Sequence, residues 1–108
     1  MRVLFDQATP VPIREFLIGH TVRTAAQEHW DTLENGDLLT AAEHAGFEIF
    51  LTTDKNLQHQ QNLAGRTIGI VVLGIQQWPA LQPHIARVVA AVNGAKPGSL
   101  TFVEIPVD

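Results

Sequence analysis

Arg2-Val3-Leu4-Phe5-Asp6 is a short apolar run that ends abruptly on an acid. A strand with one wet face alternates apolar and polar residues, and this one does not. It reads as a strand buried on both faces, as in a parallel sheet covered by helices. Working outward, Val11-Pro12-Ile13-Arg14-Glu15-Phe16-Leu17-Ile18 predicts a helix. Proline stands in its first turn, where the missing N–H would be unpaired anyway, and Gly19 closes it. His20 to Ala25 alternates as a second strand, and Gln27 to Gly36 has no period and reads as a loop. Leu38 to Ala45 predicts a helix stopped by Gly46, followed by a third strand, Phe47 to Thr53, that halts at Asp54. Leu57 to Ala64 reads as a short polar helix capped by Gly65. Thr67-Ile68-Gly69-Ile70-Val71-Val72-Leu73 is the most apolar strand and is expected at the sheet centre. Trp78-Pro79 opens a helix to about Val92, with Leu81, Ile85, Val88, Val89 and Val92 on one stripe. Ser99 to Ile105 is the last strand.

Strands alternating with helices at this spacing imply βαβ units. The expected fold is therefore a three-layer α/β/α domain with a mostly parallel sheet of about five strands, in the Rossmann-like manner. The 108 residues suit one domain, residues 1–108, and 45% hydrophobic content suffices for its core. The absence of cysteine excludes thiolate catalysis, zinc–thiolate sites and disulfides. No apolar run approaches the roughly 20 residues that cross a bilayer. The N-terminal apolar stretch is too short for a secretory signal. The expectation is a cytoplasmic protein with no membrane association. A net charge of −4 offers no bulk attraction to nucleic acid, so any such role needs a local basic patch or bridging metal ions.

In open parallel sheets ligands collect beyond the C-terminal ends of the strands, where the strand order reverses. That rule selects Asp6 after the first strand and Asp54 after the third. If these strands are neighbours, the two carboxylates converge across a gap that a metal ion bridges. Asp37 approaches from the helix leading into the third strand. Mg²⁺ takes oxygen ligands, keeps several waters and uses one or two carboxylates plus substrate phosphate. Acids at strand ends suit metal-assisted phosphodiester hydrolysis. Each acid also has a structural reading: Asp6 as a turn cap, Asp37 and Asp54 as helix caps. The five histidines show no metal-ligand spacing, and only His59 lies near Asp54 in sequence. No GxGxxG, GxxxxGK[ST] or GxSxG pattern is present. A receiver domain would need an acidic pair at strand one and a late lysine, and neither stands in place.

The sequence resembles the short PIN-like proteins described as predicted nucleases of toxin–antitoxin systems. The resemblance is carried by Val3-Leu4-Phe5-Asp6, by Asn35-Gly36-Asp37-Leu38-Leu39, and by Leu51-Thr52-Thr53-Asp54-Lys55-Asn56-Leu57 with Gln60-Gln61-Asn62-Leu63. Gly65-Arg66-Thr67 leading into Ile70-Val71-Val72-Leu73 extends it over nearly the whole chain. It implies a PIN-like fold and a metal-dependent ribonuclease, with Asp6, Asp37 and Asp54 as the acids that hold Mg²⁺ or Mn²⁺. Two positions depart from the family pattern: Gln7 and Asn56 stand where relatives often carry acids. A three-acid cluster holds metal more weakly than a fuller one.

The expected activity is thus an endoribonuclease acting on RNA, as the toxin of a toxin–antitoxin pair with an antitoxin protein as partner. Asn56 is expected in the outer shell or against substrate, and Lys55 and Arg14 against the phosphate backbone. The alternative is a catalytically degenerate PIN-like module that works by binding a partner protein. A third is a small phosphotransfer or phosphatase domain working through an aspartyl-phosphate. An edge strand and the apolar helix Trp78–Val92 are compatible with a homodimer.

Overall fold

A computed structural model describes residues 1–57 and 62–106 of the chain. Five strands form one sheet: β1 (Arg2–Phe5), β2 (Thr21–Thr24), β3 (Ile49–Thr52), β4 (Gly69–Leu73) and β5 (Leu100–Val103). Their order is β2-β1-β3-β4-β5, and every neighbouring pair is parallel. The expected α/β class is what the chain adopts, with the sheet wholly parallel. β4 is completely buried as its composition demands, but the centre of the sheet is β3, with β4 one strand in from the β5 edge.

The period-two alternation of a strand sorts the core into two layers. Val3, Phe5, Ile49, Leu51, Val71, Leu73 and Val103 face one side, against Ile13, Leu17, Leu81, Val88 and Val92. Leu4, Phe50, Ile70 and Val72 face the other, against Leu38, Leu39 and Ala42 of α1 (Asn35–His44). Because both faces are covered, Val3, Leu4 and Phe5 are all fully buried, which is why their run has no polar interruption.

Three helical expectations shift. Val11–Phe16 is a 3₁₀ helix rather than an α-helix, with Leu17 N–H donating to the Arg14 carbonyl at 3.2 Å. Only six residues lie in it, too few for α-helical propagation to favour the longer ring. α1 begins at Asn35, three residues before the expected Leu38, and ends before Gly46, whose φ of 85° the missing Cβ permits. The helix expected as one piece from Trp78 is broken. α2 (Trp78–Leu81) passes through a 3₁₀ turn, Gln82–His84, into α3 (Ile85–Gly94). Pro83 lacks an N–H and its ring crowds the carbonyl four residues back, so the α pattern is interrupted there. The apolar stripe survives the break, with Leu81, Val88 and Val92 buried. Of the helix expected over Leu57–Ala64, residues 58–61, with His59, Gln60 and Gln61, lie outside the described residues, and residues 62–64 are not helical but lead into a turn. No helix among the described residues is long and apolar enough to cross a membrane.

One ion pair ties α1 to the strand beyond it. Arg66 Nη1 donates to Glu43 Oε1 at 2.7 Å and to Thr40 Oγ1 at 2.8 Å. Glu43 Oε2 also accepts the Thr67 N–H at 2.6 Å and the Thr67 hydroxyl at 2.9 Å. Burial pushes the Glu43 carboxyl up, but Arg66, both Thr67 donors and the Ile68 N–H outweigh it, lowering the pKa from 4.5 to about 2.

Because the folded pKa is depressed, the unfolded chain takes up the proton first as pH falls. The Glu43 contribution is therefore complete above pH 4.5 and is lost as pH falls towards 2. Glu43→Gln is expected to cost on the order of 2 kcal/mol near neutral pH and to flatten the acid limb, measured by urea unfolding across pH. At Gly69 a Cβ would lie 2.8 Å from the Lys96 carbonyl oxygen, a backbone atom that cannot swing away. Gly69→Ala is expected to destabilise by roughly 1–3 kcal/mol in the same assay.

Candidate active-site cleft

The sheet order reverses between β1 and β3: the chain steps from β1 outward to β2, then returns to β3 on the other side. Phe5 is level with Thr24 on one side and Leu51 on the other, so the ends of all three strands are in step. Beyond them lies a cleft of about 360 Å³ whose lining includes Asp6, Gln7, Trp30, Asp31, Asn35 and Asp54. This is the crevice that doubly wound sheets offer to ligands.

Asp6 is the best-held acid in it. Its Oδ1 accepts the Thr9 N–H at 3.0 Å and lies 2.5 Å from the Thr9 hydroxyl, and its Oδ2 accepts the Thr52 hydroxyl. The Thr9 hydroxyl also lies 2.9 Å from the Leu51 carbonyl, but the charged carboxylate is the stronger acceptor for its one proton. Thr9 and Thr52 are the only buried polar side chains among the described residues, and both serve this one carboxylate. Asp6 does cap its turn, through the Thr9 N–H, and it also lines the cleft.

Asp54 is joined to Asp6 through Thr52. The Asp54 N–H donates to Thr52 Oγ1 at 3.0 Å, and the same hydroxyl donates to Asp6. The Asp54 side chain caps its own turn, Oδ1 accepting the Asn56 N–H at 3.0 Å. Its Oδ2 accepts Asn35 Nδ2 at 3.1 Å. The ion pairs among the described residues are Arg23–Glu28 and Arg66–Glu43, so hydrogen-bond donors alone, and no cation, hold Asp6 and Asp54.

Asp37 is not brought to this cleft. It is exposed in the first turn of α1, and Asn35 stands where the third acid was expected. Two residues on a helix are about 200° apart, so Asn35 and Asp37 face nearly opposite ways. Among the described residues no three acids or histidines gather closely enough to share an ion. The carboxylates that do line the cleft with Asp6 are Asp54 and the exposed Asp31. Lys55 and Asn56 line an adjoining hollow of about 410 Å³ that shares Thr53, Asp54 and Gln76 with the cleft. Arg14 lies outside both, its Nη2 donating to Gln27 Oε1 at 2.8 Å.

Sequence reading passed over Thr9, Thr52 and Asn35. Thr52 and Thr9 carried a usable signal, a hydroxyl two residues before one acid and three residues after the other. Asn35 was hidden by a helix start placed too late.

Asp6 and Asp54 are the carboxylates on which a Mg²⁺- or Mn²⁺-sized ion would draw, with water or phosphate completing its shell. Thr52→Val is expected to cost roughly 1–3 kcal/mol, because it strips a donor from Asp6 and an acceptor from the Asp54 N–H. Thr52→Ser, which keeps both bonds, is expected to restore most of that loss in thermal unfolding. No protein-family model matches the chain, and no curated protein and no solved structure matches it either.

Proposed function

We propose that the chain is a PIN-like, Mg²⁺- or Mn²⁺-dependent endoribonuclease, the toxin half of a toxin–antitoxin pair. The observation that carries this reading is the pair Asp6 and Asp54. They line one cleft at the point where the sheet order reverses, held there, among the described residues, by uncharged donors only. A divalent ion bound there would supply water activation and stabilisation of the leaving oxygen. Asp6 and Asp54 would hold it, and the Thr9 and Thr52 hydroxyls would fix the Asp6 carboxylate in place. Lys55 and Asn56 line the adjoining hollow and would meet the phosphate chain beside the cut. The resemblance of the strand-end motifs to PIN-like sequences supports RNA as the substrate.

One observation favours a second reading, a module that binds a partner protein without cutting. Asn35 donates to Asp54 Oδ2 and so occupies a lone pair that a metal would use. The two readings separate on RNA cleavage with Mn²⁺ by the wild type, Asp6→Asn and Asp54→Asn. The ribonuclease reading expects a loss of at least roughly 100-fold in each variant. Metal-dependent cleavage that survives both changes would sink it, and no Mn²⁺ binding at millimolar metal by calorimetry, with or without RNA, would favour the binding module.

A further inference from the structure

We infer that Asn35 is a site of spontaneous deamidation, which converts the amide beside Asp54 into a further carboxylate of the cleft. Asn35 is followed by Gly36, the residue that least hinders attack by its own backbone nitrogen on the preceding side chain. Both residues sit in the first turn of α1, where backbone N–H groups have no intrahelical acceptor. Glu34, which precedes the helix, makes no side-chain capping bond to their N–H groups, and it is the Gly36 carbonyl rather than its N–H that Thr40 and Arg66 hold. Asn35 lines the cleft and is only half-buried.

The step balances with water as the sole co-reactant. The deprotonated Gly36 nitrogen attacks Asn35 Cγ, the Cγ–Nδ2 bond breaks, and ammonia leaves to give a cyclic imide. Water then opens the ring. Opening at the backbone carbonyl gives isoaspartate, and opening at the side-chain carbonyl gives aspartate with the backbone in its original register. The aspartate product carries the consequence. Asn35 Nδ2 lies 3.1 Å from Asp54 Oδ2 as a donor to it, and a carboxylate oxygen there would face it as a like charge. Two carboxylates at such a separation are reconciled by a shared proton or a divalent cation. Ageing would therefore raise the affinity of the cleft for metal, a consequence that rests on the proposed metal site, whereas the deamidation itself does not.

The test separates the two. The full chain is incubated at mildly alkaline pH, folded and in urea, and the peptide spanning Asn35 is followed by mass spectrometry. A gain of about one dalton at residue 35 is expected in the folded protein at a rate within roughly tenfold of the unfolded chain, slowed roughly tenfold in Gly36→Ala. A folded chain that keeps Asn35 intact while the urea sample converts overturns the inference. In parallel, Mn²⁺ alone is titrated into the wild type and Asn35→Asp by calorimetry. Asn35→Asp is expected to bind roughly tenfold more tightly, because ligand charge sets affinity in such sites. Equal affinity, or no binding by either, overturns the proposed consequence. Binding by Asn35→Asp alone supports it, and then counts against metal-dependent activity in the unmodified chain.

Discussion

β1 is hydrogen-bonded on both edges, to β2 on one side and β3 on the other, and the rest of the molecule is arranged around that double pairing. A strand in that position has no solvated edge and, with layers above and below, no solvated face. Its three apolar residues are therefore completely enclosed. The chain must leave β1 in one direction and come back in the other, and the crossovers consequently part at its C-terminal end. The cleft is the space they leave. Asp6, the first residue past the strand, lies in it because of the pairing rather than because of any local preference.

Holding a carboxylate at such a place requires donors, since a charge half removed from water is costly when unpaired. The chain supplies them sparingly. Thr9 follows in the same turn, and Thr52 is the last residue of the neighbouring strand, so one donor is local and the other arrives by strand pairing. Thr52 then receives the Asp54 N–H, which joins the turn after β3 to the acid after β1. The two acids are thus parts of one hydrogen-bonded unit built on the central pair of strands.

Glu43 shows the contrasting solution. It too is a largely buried acid, but Arg66 stands directly against it and two backbone N–H groups complete its shell. That acid is satisfied within the fold and serves to lock α1 against the approach to β4. Asp6 and Asp54 have only neutral donors among the described residues. The difference is what marks the cleft, rather than the Glu43 cluster, as the place where a positively charged ligand would lower the energy.

Much of this was legible in the residues. Uninterrupted apolar runs at Val3–Phe5 and Ile70–Leu73 required strands covered on both faces, and their alternation with helical segments required parallel pairing. Acids directly after two such strands pointed to the cleft. The order of the strands was not legible, because Phe50 and Val71 are equally enclosed and burial does not say which lies at the centre. The site also hinged on rotation about α1. Starting that helix at Asn35 instead of Leu38 aims an amide at Asp54 and leaves Asp37 in solvent. The break at Pro83 was visible as a proline, but whether the stripe from Leu81 to Val92 would survive it depended on the sheet beneath. The sequence by itself determined the layer pattern and the two acids, since these follow from local burial and periodicity. Only the tertiary structure decided which side chains meet Asp6 and Asp54, because those contacts join residues up to 46 positions apart whose distance depends on strand register and helix rotation.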